Sequence, residues 1–215
     1  MKKLLLTTLV VAALSSAALA QSPVKFGIKA GVSFPNMSLS AENVSIAFNS
    51  KTSFYVGGIA DIPLSKIISF QPGLTFTGKG TRLNGAGFDF ENGDVAAETG
   101  TINSSYIEVP LNLLANIEAG NAGTLFFGAG PYYAIAVDAY AKSGGVKEDI
   151  TIGSDEDSFR RGDFGINFLA GFKLNNGLNI HGGYGLGLRS VIPNQDGFDV
   201  TFKNKVFSVG LGFNF

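Results

Sequence analysis

The sequence contains no cysteine, no tryptophan and a single histidine, His181. The missing cysteine excludes disulfides, thiolate nucleophiles and a lipid anchor attached through a thiol. One histidine without cysteine also excludes metal clusters of the His/Cys type. Charge of one sign is missing as well. The net charge of the 215 residues is −1, so there is no basic excess to suggest a nucleic-acid partner. Beyond the first twenty residues no apolar run approaches the roughly 18 residues of a membrane-crossing helix. Yet 45% of the residues are hydrophobic, and mean hydropathy is positive, at +0.23. The chain must place that apolar surface somewhere other than a transmembrane helix.

Residues 1–20 read MKKLLLTTLVVAALSSAALA. Lys2 and Lys3, the apolar stretch Leu4 to Ala13 and the small-residue site Ala18-Leu19-Ala20 predict a cleaved export signal. The remaining residues 21–215 are expected to form one domain. Glycine is abundant, with 29 residues, about double the usual share. No Gly-X-Y period accompanies it, so collagen does not explain it, whereas crowded inward positions of a narrow barrel do.

The last ten residues, VFSVGLGFNF, carry the clearest pattern. Phe207, Val209, Leu211, Phe213 and Phe215 point to one side, and Val206, Ser208, Gly210, Gly212 and Asn214 to the other. A strand turns successive side chains to opposite faces. A barrel in a bilayer must do this on every strand, with the apolar set toward lipid. Seven further alternating segments are predicted: 24–34, 52–62, 68–80, 104–117, 124–138, 162–174 and 178–189. Their lengths suit tilted strands crossing a bilayer. The connections alternate too. Residues 63–67, 118–123 and 175–177 are short, and Asn175-Asn176-Gly177 is a hairpin-turn sequence. Residues 35–51, 81–103, 139–161 and 190–204 are long. The expected fold is therefore all-β: an eight-stranded antiparallel up-and-down transmembrane β-barrel with short periplasmic turns and four long extracellular loops. Within those loops the similar strings Gly87-Phe88-Asp89-Phe90 and Gly197-Phe198-Asp199-Val200 suggest projecting hairpins.

The inward positions hold most of the polar residues. The predicted lumen network comprises Lys29, Asp61, Gln71, Lys79, Glu108, Asn112, Asp163, Asn167, His181 and Arg189, with Lys25, Lys173, Asn116 and Asn179 beside them. Eight strands enclose a bore just wide enough for side chains to fill. Charges there must be paired, since an isolated buried charge costs several kcal/mol. Glu108 interrupts an aliphatic run and needs a cation, with Arg189, Lys79 and Lys29 as candidates. A plugged polar core is the reading; a narrow water or ion path and a ligand site are alternatives.

His181 falls close to the short turn at 175–177, low in the lumen. A hydrolase centre on it is therefore disfavoured, because outer-membrane enzymes work at the outer rim or the leaflet face. The acidic run 153–158 lacks the spacing of a calcium loop and reads as a solvated loop. Arg160 and Arg161 beside it would reach lipid phosphates or loop acids. The Gly183-to-Gly187 string has no following helix and reads as a glycine-rich strand rather than a phosphate cradle.

These residues also carry a resemblance. Tyr106-Ile107-Glu108-Val109-Pro110-Leu111, Gln71-Pro72-Gly73 with Lys79-Gly80, GAGPYYAIAVDA, DFGINFLAGFKL and the VFSVGLGFNF end look like the PorT-like outer-membrane beta-barrel family of the Bacteroidota. The resemblance implies a small barrel of OmpX-like architecture in the outer membrane of a Gram-negative bacterium. It brings no catalytic residues and no cofactor. One branch is similar to a component required for type IX secretion.

The expected function is that of a small non-enzymatic barrel acting through its loops in adhesion or envelope integrity. Its expected partners are outer-membrane lipid including lipopolysaccharide, the barrel-assembly machinery through the C-terminal strand, and an envelope or secretion protein. Alternatives are a secretion accessory, a narrow passive channel and an exported lipocalin-like carrier. The carrier would need an apolar interior and usually a tryptophan.

Overall fold

The computed structural model describes residues 24–41, 44–83, 87–88, 95–96, 100–153, 159–192 and 200–215. The predicted export signal and the string Gly197 to Asp199 lie outside them. Eight long strands form the wall: β1 (Lys25–Ala41), β2 (Ser53–Pro63), β3 (Ile68–Leu83), β4 (Gly100–Glu118), β5 (Thr124–Ser143), β6 (Gly162–Lys173), β7 (Leu178–Gly187) and β8 (Val200–Asn214). Each pairs antiparallel with its sequence neighbour, and β8 returns to β1 over fifteen residue pairs, Gly27 with Asn214 through Ala41 with Val200. The sheet is therefore a closed ring with no free edge, which leaves no unpaired strand edge facing lipid. Followed once around the ring, the pairings that start at Pro35 return to β1 at Lys25, ten residues lower. That stagger tilts the strands against the barrel axis.

Two chemical details shape the wall. Pro72, Pro110 and Pro131 sit on the adjacent strands β3, β4 and β5, where a proline offers no N–H to a ladder. The pairing lapses beside them and resumes in the same register. The turn after β6 depends on Gly177, whose φ of +93° suits glycine and whose missing Cβ would lie 2.2 Å from the Asn214 carbonyl oxygen.

The alternation turns a continuous apolar surface outward. Phe26, Phe54, Val56, Leu74, Ile107, Leu111, Leu113, Phe127, Ile135, Phe164, Ile180, Val209 and Leu211 are all exposed. The C-terminal set Phe207, Val209, Leu211, Phe213 and Phe215 belongs to it. So large a patch does not survive in water. Aromatics gather toward both ends of the wall. Phe34 stacks on Phe207 with ring centroids 6.2 Å apart toward the long-loop end, and Phe213 meets Phe215 at 5.8 Å at the short-turn end. Such girdles mark the two interfaces of a bilayer.

The strands run further into the long connections than the alternation alone indicated. β1 ends at Ala41 rather than near Phe34, β3 at Leu83, β5 at Ser143, and β4 begins at Gly100. Hydrophobic patterning fades where lipid ends, but backbone pairing continues. Residues 44–47 fold back on β1, 146–149 on β5, and Gly87–Phe88 pair with Val95–Ala96. Above the wall these extensions bury a core of their own, made of Met37, Tyr106, Tyr132, Ala136, Ala139, Phe159 and Val191. Phe48 and Phe202 stack beside it at 6.4 Å with nearly parallel rings.

Candidate functional site: the polar bore and its outer seal

Inward positions of the wall converge on one ion cluster near the outer end of the bore. Glu108, Ala134 and Asp163 occupy one row of paired residues across β4, β5 and β6. Small Ala134 leaves the space between the two carboxylates open. Lys79 reaches across from β3 and fills it. Its Nζ lies 3.0 Å from Glu108 Oε2 and 3.0 Å from Asp163 Oδ2. The rings of Tyr132 and Tyr106 flank the ammonium, with centroids 4.3 and 4.9 Å away. Asn167 Nδ2 donates to Glu108 Oε1 at 3.0 Å, and Asn204 Nδ2 to Asp163 Oδ2 at 3.0 Å. Lys79 is 2% exposed and Asp163 0%. A lysine so buried is tolerated only because two carboxylates and two aromatic faces surround it. The cluster ties together five of the eight strands.

A second pair lies at the short-turn end, where Lys173 Nζ stands 3.2 Å from Asp61 Oδ2 across the bore. Asn116 donates to Ser69 at 3.0 Å in the same region. Between the two ionic layers lies a cavity of about 110 Å³, lined among others by Lys29, Gln71, Thr75, Asn112 and His181. Lys29 faces it with no carboxylate within 4 Å among the described residues. Ser33 Oγ, Thr75 Oγ1 and Asn112 Oδ1 are buried without protein partners. A polar cavity with several such groups suits ordered water.

His181 has a defined place in this layer. Tyr55 donates its hydroxyl to His181 Nε2 at 2.7 Å, and His181 Nδ1–H donates to Asn179 Oδ1 at 2.8 Å. Asn179 Nδ2 in turn donates to Asn214 at 3.1 Å, which leaves its oxygen as the acceptor. The chain of bonds fixes the Nδ1–H tautomer. Tyr55 reaches the histidine because Gly210 leaves room: a Cβ there would stand 2.1 Å from the phenol oxygen. The histidine's hydrogen-bond partners are a phenol and an amide, not a nucleophile and an orienting carboxylate. Among the described residues no group of His, Asp and Glu is placed to hold a metal ion.

Lys29, Asp61, Gln71, Lys79, Glu108, Asn112, Asp163, Asn167 and His181 thus all face the bore. Arg189 does not. β7 ends at Gly187, and the chain bends before the arginine. Its Nη1 lies 3.1 Å from the place a Cβ would take on Gly162, with the Tyr133 hydroxyl 2.9 Å from the same point. Tyr133 is on the outer wall. Arg189 is therefore an outer-surface residue, and Lys79 takes the role at Glu108. Sequence reading missed Tyr55, Tyr106, Tyr132 and Asn204. Their inward parity was visible, since Tyr106 alternates in step with Glu108 and Tyr132 with Ala134, but tyrosine suits lipid interfaces equally well. The expected hairpin at Gly87-Phe88 is present as a two-residue pairing.

The chain is similar to several solved outer-membrane proteins. OprG of Pseudomonas aeruginosa is 12% identical, with 89% of this chain and 95% of that chain covered and a TM-score of 0.49. Neisserial surface protein A is 12% identical, with 90% and 100% covered and a TM-score of 0.47. Ail, the attachment invasion locus protein of Yersinia pestis, is 13% identical, with 90% and 100% covered and a TM-score of 0.43. No curated protein matches the sequence. Residues 19–193 match the family described as outer membrane protein beta-barrel domain. A closed wall that is greasy outside and ionic inside is the physical form such a match requires, and the chain belongs to the outer membrane protein beta-barrel domain family.

Proposed function

We propose that this protein is a non-enzymatic, closed outer-membrane barrel that acts through its outward extensions, in adhesion or envelope integrity. One observation carries the reading. Lys79, bonded to both Glu108 and Asp163, spans the outer end of the bore beneath an apolar cap that includes Met37, Phe159 and Val191. Ion flow would have to break two charge-assisted bonds and then cross the cap. The wall is thus a stiff anchor, and the surfaces left for work lie beyond it. The strand extensions and the 146–149 hairpin, with exposed Lys147, Glu148 and Asp149, form that surface.

Planar-bilayer recording on the purified protein tests this. The expected record shows no steady channel, while Lys79→Ala opens intermittent conductance. A steady channel in the unmodified protein would overturn the closed bore and favour the passive-channel reading. A role as a secretion accessory remains the second proposal from the family resemblance. It predicts a stable envelope-protein partner after crosslinking in cells.

A further inference from the structure

The outer surface of β6, β7 and β8 gathers cations at the rim. On β8, Lys203 and Lys205 continue the outward face that Phe207, Val209 and Leu211 begin. Lys205 pairs with Leu186 on β7 and with Asn36 on β1, and Lys203 pairs with Ser38. Leu188 is exposed on the same side, bonded through its backbone to Phe164 on β6. Arg161 is exposed just before β6. Arg189 lies over Gly162 beside the Tyr133 hydroxyl, as described above.

None of these four cations has a carboxylate within 4 Å among the described residues, and the same holds for Arg82 and Lys142 elsewhere on the rim, so what distinguishes the four is their gathering on neighbouring strands. The residues paired with the two lysines are neutral or apolar: Asn36, Ser38 and Leu186. Adjacent strands lie about 4.8 Å apart, so three strands gather the four charges into a band roughly 10 Å wide. The band begins where the lipid-facing aromatics Phe164, Tyr184 and Phe207 end. Long basic side chains at that depth lay their stems on the apolar wall and lift their charges to the interface.

We propose that this band is a docking stripe for a phosphate-bearing lipid of the outer leaflet. Arg161, Arg189, Lys203 and Lys205 hold the phosphates, and Leu186, Leu188 and Phe164 lie against the acyl chains. The reading rests on the barrel lying in the outer membrane. Charge complementarity and continuity with the lipid-facing wall select the occupant. Arginine forks bind phosphate oxygens in pairs, and lysines add point charges. An acidic protein would meet the same charges, but not the leucine and phenylalanine wall directly beneath them.

The test uses the folded protein in detergent, with lipid A and its dephosphorylated form as probes and bound lipid read by native mass spectrometry. Preferential retention of lipid A is expected. Each replacement by glutamine should weaken it about fivefold, from the roughly 1 kcal/mol that a basic side chain contributes near an anionic lipid surface. The quadruple variant should lose the preference altogether, and 0.5 M salt should reduce it. Lys66→Gln and Lys142→Gln, away from the stripe, should change nothing. Arg189, Lys203 and Lys205 lie on the outer surface and Arg161 is exposed, so the variants are expected to keep the heat-modifiable migration of a folded barrel. If the quadruple variant fails to fold, the Lys203→Gln/Lys205→Gln pair gives the same readout. Equal retention of both probes, or full displacement of lipid A by inorganic phosphate, would overturn the stripe. Failure of the barrel reading is separable: the unmodified protein would then stay monodisperse without detergent.

Discussion

The wall and its outer extension are built by the same strands with opposite chemistry. Along the wall, Phe127, Leu211 and Phe54 face out, while Lys29, Glu108 and Asn112 face in. Beyond the rings of Tyr106 and Tyr132 the order reverses. Met37, Phe159 and Val191 are buried, and Lys142, Lys147 and Glu148 are exposed. Strand pairing continues on both sides of the boundary, with β5 running from Thr124 to Ser143 and a single bulge at Val137, where Ser105 pairs with Asp138 and Tyr106 with Ala136. Backbone hydrogen bonding is thus indifferent to the solvent, and the side chains alone record where lipid gives way to water.

The largest test of this contrast is Lys79→Ala. It leaves Glu108 and Asp163 facing each other with no cation, and a loss of about 3–5 kcal/mol is expected from urea unfolding in vesicles. Replacing all three together, as Lys79→Met, Glu108→Gln and Asp163→Asn, should recover most of that loss. If it does not, the cluster stabilises the wall by more than avoiding an unpaired charge.

On the lipid face, Leu211 pairs with Ala30 and Ile180 well inside the wall. Leu211→Arg is expected to cost about 2–4 kcal/mol, as for a cation placed near the bilayer midplane. A cost below that of the same change at Val146, exposed on the outer hairpin, would break the comparison. Met37→Ala in the outer core should cost about 2 kcal/mol, the low end for such truncations, because the cap is small and can settle. Its expected signature is faster proteolysis of the extensions with heat-modifiable migration intact. The smallest effect belongs to Lys147→Ala. Its pair with Asp149, 2.9 Å apart, is exposed on both sides, and no shift in the unfolding midpoint is expected.

Much of the wall was legible in the sequence. Eight alternating segments and three short turns fall where the strands and turns lie, because a period of two is a local property that any neighbour can satisfy. The extensions were not legible. From Asn36 to Ala41 polar and apolar residues still alternate but in the opposite phase to Val32 and Phe34, and from Tyr140 to Ser143 the alternation fails, although the pairing continues through both. The bore was half legible. Parity put Lys79, Glu108 and Asp163 inside, yet Arg189 had the same parity and lies outside because its strand stops two residues earlier.

Taken alone, the order of residues decided which side chains meet lipid and which turn inward, since each strand settles that within its own length. Folding decided who meets whom across the bore. Lys79 and Asp163 are 84 positions apart in the chain, and their contact depends on the registers of every hairpin between them and on the stagger with which β8 closes on β1. That sum of small offsets is a property of the closed ring and of no segment within it.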